Sequence, residues 1–158
     1  MRWHYRDPLL VWLFPASYAL HILEEWFGGF PEWLGVVSGG SGLPRGAFVA
    51  INAAAWIAMV AAARAATRSE SAGWLAIGIA TITLVNGVAH LLASLVTGTY
   101  SPGLFTGVIL YLPLGQLALL RAWHQSPAAS LRRGVIAGVL VHGLVSLVAL
   151  SLSSGVRA

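Results

Sequence analysis

The sequence predicts a single all-α bundle of about five transmembrane helices. Three observations lead there. Hydrophobic residues fill 58% of the 158 positions and charged residues only 9%, against roughly 25% in soluble domains. The mean hydropathy is +0.79. Five apolar segments approach the about 20 residues that a helix needs to cross a bilayer. With so few charges the chain cannot clothe a globular surface in polar groups, so lipid is its expected solvent. There is no internal repeat, and residues 1–158 read as one transmembrane domain.

The first segment, 9–27, follows Arg2 and Arg6 as the core of a signal peptide would. It runs into His21, Glu24 and Glu25 rather than a small-residue cleavage site, so it reads as a retained helix. The second, 46–66, carries the triplets Ala53-Ala54-Ala55 and Ala61-Ala62-Ala63, which let helices approach closely. The third spans 72–96. The fourth, 103–122, follows Pro102, a residue suited to a helix start because its missing N–H costs nothing there. The fifth, 134–152, holds a small-xxx-small pair in Gly134 and Gly138. That pair reads as packing within the bundle, with a homodimer face as the alternative. The longest connection, 28–45, is rich in Gly, Pro and Ser, and Phe30, Trp33 and Leu34 suggest a short interfacial piece there.

Orientation follows from the arginines; there is no lysine. With a cytoplasmic N-terminus, Arg2, Arg6, Arg64, Arg68, Arg121, Arg132 and Arg133 fall inside and only Arg45 and Arg157 outside. An odd number of spans then puts the C-terminus outside. Arginines in short gaps between apolar runs speak for topology and lipid headgroups, not nucleic acid. The absence of cysteine excludes disulfides and thiolate metal sites. No nucleotide or flavin motif is present.

An ionisable residue in mid-span costs about 2.5–3.5 kcal/mol on insertion scales, so each one asks for a function. His21, Glu24 and Glu25 lie at helical spacings i, i+3 and i+4 and can face one point. Asn86 and His90 share a face of the third segment. Counted at 1.5 Å per residue, His21 lies about 18 Å and His90 about 27 Å from the inner edge, and Asn52 about 9 Å below the outer edge. The polar groups of three helices thus meet in the outer half. Tyr100 belongs to that side. Gln116 and His142 fall in the inner halves of their segments and fit the cluster less well.

His21-Ile22-Leu23-Glu24-Glu25, His90 and the run Tyr100-Ser101-Pro102-Gly103 together resemble the HXXEE family of small bacterial membrane proteins. The resemblance covers the first helix to the start of the fourth. It implies a shared membrane fold and marks His21, Glu24, Glu25, His90, Tyr100, Pro102 and Gly103; the expected location is the bacterial inner membrane, with the polar site toward the outer side. The family has no assigned function, so the resemblance names no reaction.

The donor types point to a metal-dependent membrane enzyme. His21, Glu24 and His90 would form a two-histidine, one-carboxylate site for Zn, Fe or Mn, with Glu25 as fourth ligand or general base. Tyr100 would cap the site or donate a proton, and Asn52 and Asn86 would support it. A hydrophobic, lipid-like or isoprenoid-like substrate fits the apolar surroundings. A metal-free acid–base pair of Glu24 or Glu25 with a histidine is a variant. The alternative class is a proton- or ion-coupled transporter or membrane binding subunit using the same cluster.

Overall fold

The computed structural model describes residues 4–155, which are mostly helical, with no strand among them. Helix α1 is Pro8–Gly28, α2 Phe30–Ser38, α3 Arg45–Arg68, α4 Gly73–Thr97, α5 Leu104–Gln125 and α6 Ala128–Ser153. A single 3-10 turn, Glu70–Ala72, leads into α4.

Four of these helices are long and apolar enough to cross a membrane: α3, α4 with its leading turn, α5 and α6. α1, expected as the fifth, is not among the four, because His21, Glu24 and Glu25 depress its hydropathy. Its 21 residues span about 31 Å, the thickness of a bilayer core. Large apolar side chains lie exposed along the bundle, such as Val96 and Phe27, at a density that suits lipid rather than water.

α4 is the centre of the bundle. Half of its apolar window is buried, against 6% for α6. α6 packs most extensively on α4, in parallel register. A Cβ at Gly134 would lie 2.6 Å from the Trp74 carbonyl oxygen, and one at Gly138 2.7 Å from that of Gly78. The small-xxx-small pair therefore serves packing inside the chain.

One end of the bundle gathers most of the arginines. Asp7 caps α1 by accepting from the Leu9 N–H at 2.9 Å. Arg6 donates to the Ala66 carbonyl at 3.0 Å, tying α1 to the end of α3. The Tyr5 N–H donates to Gln125 at the end of α5, and Arg133 lies 4.0 Å over the Trp74 ring. Arg2 and Arg157, two of the nine arginines behind the orientation, lie outside the described residues.

The 28–45 connection is ordered. Gly29 (φ 77°) ends α1 and begins α2, so only two turns of helix intervene before Gly39 (φ 69°) closes it. The expected interfacial piece is thus α2, but Leu34 is buried and Phe30 turns inward against Phe48 and His90. Beyond α2, the Leu43 N–H donates to the Pro31 carbonyl and the Ser41 N–H to that of Ser153 at the end of α6.

Candidate metal centre

His21 is delivered by α1 and His90 by α4, and both rings are buried. Glu25 lies one turn beyond His21 on α1 and is buried with them. His21 Nε2 stands 3.5 Å and His90 Nε2 3.4 Å from the same oxygen, Glu25 Oε1. One ligand atom from each of the three falls within 4.8 Å of the others. His21 Nε2 is buried without a hydrogen-bond partner among the described residues.

The other nitrogen of each ring is held. His21 Nδ1 is 2.7 Å from Thr106 Oγ1, and His90 Nδ1 is 3.0 Å from Ser101 Oγ. A histidine tied at Nδ1 and open at Nε2 has the form of a metal ligand with its outer support.

Residues 101–104 build that support. The Leu104 N–H donates to the Ser101 carbonyl at 2.9 Å, closing a turn with Pro102 second and Gly103 third. Gly103, at φ 102° and ψ −5°, takes the type II position that favours glycine. Pro102 therefore shapes the turn and does not begin the helix, as the sequence suggested; α5 begins at Leu104. The turn seats Gly103 between the two imidazoles: a Cβ there would lie 2.7 Å from Cε1 of each. Ser101 is fully buried, with its N–H on Ser94 Oγ.

Glu24 stands apart from the cluster. Its Oε1 accepts from the Tyr100 hydroxyl at 2.7 Å and the Phe105 N–H at 2.9 Å. Its Oε2 accepts from the Thr106 N–H at 2.7 Å and from the Thr106 hydroxyl. The start of α5 has no side chain of its own to cap it, and Glu24 supplies that carboxylate from another helix. The four donors fill its lone-pair positions. Of the four residues expected as ligands, the structure brings His21, Glu25 and His90 together and leaves Glu24 outside the group.

Tyr100 meets Glu24 at the edge of the site, 40% exposed. Burial first, and then the bond to Glu24, pushes its hydroxyl up to about 12 from 10.0. The folded value is the higher one. The stabilisation is therefore complete below pH 10.0 and is lost as pH rises through about 12. Subtracting the tyrosinate absorbance titration of Tyr100→Phe from that of wild type should leave a step near 12. A step near 10.0 would rule this bond out.

Asn52 is not at the cluster. It accepts from Tyr18 at 2.7 Å and donates to the Phe48 carbonyl at 3.0 Å, joining α3 to α1. Asn86 Oδ1 is buried without a hydrogen-bond partner among the described residues. His142 is half-buried on α6 and Gln116 exposed on α5.

Three site residues escaped the sequence reading: Ser101, Thr106 and Tyr111. Ser101 stood inside the Tyr-x-Pro-Gly run as its variable position. Thr106 was one hydroxyl in an apolar segment. Tyr111 stacks on His21 with centroids 4.4 Å apart, and its buried hydroxyl has no hydrogen-bond partner among the described residues. It ends a π-helical turn, Gly107–Tyr111, a device often found at functional sites.

The family model described as "Protein of unknown function with HXXEE motif" matches residues 12–118, more than half of the chain, and includes His21, Glu24, Glu25, His90, Ser101, Thr106 and Tyr111. No curated protein and no solved structure matches it.

Proposed function

The chain belongs to the HXXEE-motif family, whose function is unknown, and from its own geometry we propose a membrane-embedded enzyme whose divalent metal is held by His21, Glu25 and His90. One observation carries the reading: two Nε2 atoms, each with its ring fixed at Nδ1, converge on a single carboxylate oxygen.

The donor set fits such an ion. Nitrogen and oxygen ligands about 2.0–2.1 Å from a tetrahedral metal stand about 3.3–3.4 Å apart. The two nitrogen–oxygen separations here are 3.4 and 3.5 Å. Two imidazoles and one carboxylate suit zinc, iron or manganese. Bound there, the ion would supply Lewis-acid chemistry. The hydroxyl of Tyr111 beside His21, without a partner among the described residues, offers a hydrogen bond to a substrate.

A hydrophobic substrate fits the surroundings. Two open grooves flank α1. One, of about 400 Å³, lies against α3 and includes Ile22, Trp26 and Phe48. The other, of about 390 Å³, lies against α5 and includes Ser17, Leu20 and Pro113. Both are lined almost wholly by apolar atoms, as a lipid-like chain requires. We read α1 as the fifth span. The arginine-rich end is the cytoplasmic one by the positive-inside rule, which puts the centre in the outer half of the membrane.

Metal analysis of detergent-purified protein tests the reading. Stoichiometric zinc, iron or manganese is expected in the wild type and should be lost in both His21→Ala and His90→Ala, with thermal unfolding showing that the variants fold. Metal-free wild type that carries proton flux in vesicles would favour transport instead. Metal-free wild type whose variants simply unfold would leave a polar knot that pins the helices.

A further inference from the structure

Glu24, Thr106 and His21 form a directed chain of hydrogen bonds that the metal-site reading does not require. We propose that Glu24, acting through Thr106, is a positioning residue that fixes His21 as the Nδ1–H tautomer and turns the Nε2 lone pair toward Glu25 and His90. The proposal deepens the metal reading, yet its own evidence is the hydrogen-bond pattern.

Donor counting carries it. A threonine hydroxyl has one proton to give and lone pairs with which to accept. Thr106 Oγ1 touches Glu24 Oε2 and His21 Nδ1, and its next acceptor, the Gly103 carbonyl, is 3.4 Å away. The carboxylate accepts only, so the Thr106 proton goes to Glu24. Thr106 Oγ1 must then accept from His21, which places the ring proton on Nδ1. A neutral imidazole with its proton on Nδ1 has a lone pair on Nε2. That atom is buried without a hydrogen-bond partner among the described residues, 3.5 Å from Glu25 Oε1.

The neighbours hold the pattern in place. Backbone N–H groups of Phe105 and Thr106 and the Tyr100 hydroxyl fix the carboxylate. Tyr111 stacked on the ring and the Gly103 turn beside its Cε1 confine it. His90 has no equivalent chain: its Nδ1 partner, Ser101 Oγ, either donates or accepts. The structure therefore dictates the tautomer of one histidine and leaves the other to the occupant of the site.

Nuclear magnetic resonance of ¹⁵N-histidine-labelled protein, stripped of metal and held above the usual histidine range at about pH 8, reads the tautomer directly. His21→Gln identifies the signals. The wild type and Thr106→Ser should carry the His21 proton on Nδ1. Thr106→Val removes the acceptor, and the proton should move to Nε2, facing Glu25. Glu24→Gln should raise the Nε2–H share. Titration with Zn²⁺ should then show Thr106→Val weakened about 10–100-fold, with Thr106→Ser close to wild type. An Nε2–H tautomer in the wild type, or no shift in folded Thr106→Val, overturns the proposal. Wild type that shows the Nδ1–H tautomer but binds no Zn²⁺ overturns the metal reading and leaves this one standing.

Discussion

Glu25→Gln is expected to weaken metal binding by more than the about 10–100-fold that losing an outer-shell partner costs while leaving the metal-free bundle folded. Glu25 is buried, and its Oε1 faces two imidazole nitrogens at 3.4 and 3.5 Å. Glutamine keeps the size of the side chain and removes the charge that a cation needs. It also removes the desolvation cost of burying a carboxylate. Zn²⁺ or Co²⁺ titration, with thermal unfolding in chelator, measures both halves. A metal-free Glu25→Gln protein that melts far below the wild type would show that the carboxylate is there to hold the helices.

Gly103→Ala should be the most damaging single-methyl change near the site. Two penalties fall on one position. A side chain at φ 102° strains the backbone by about 1–3 kcal/mol. The added carbon also meets both imidazoles at 2.7 Å, so at least one ligand must move. Gly98→Ala is the matched control, with φ 64° and no atom within 4 Å of the added carbon. It should incur only the backbone strain, about 1–2 kcal/mol, and bind metal normally. Equal metal affinity in the two variants would detach the turn from the site.

Much of the fold was legible because lipid imposes a simple rule on length and hydropathy. α3 to α6 follow the predicted segments to within a few residues at most ends. Hydropathy marks α1 less clearly than the others, because its polar residues lower the average while the structure buries His21 and Glu25 between helices. The histidines and the carboxylate pair were visible as charges out of place. Choosing between Glu24 and Glu25 was not possible from spacing. Neighbouring residues on a helix point about 100° apart, and both lie within reach of His21. What decides is the start of α5, some eighty positions later, whose free N–H groups claim Glu24. Tyr111 was hidden for another reason. The π turn adds a residue to one helical winding and displaces everything after it from the 3.6-residue pattern.

The shared cap at Glu24 also bears on how the chain is made. On the reading of α1 as a span, its carboxylates emerge from the ribosome long before residues 101–106, which supply the partners of Glu24. In the interval Glu24 lacks those partners, at a cost of up to about 2.5–3.5 kcal/mol for a charge at mid-depth. The nascent helix therefore gains a settled place only when the Ser101–Leu104 turn arrives. The first and fourth hydrophobic segments then dock through Glu24 only after that turn has been made.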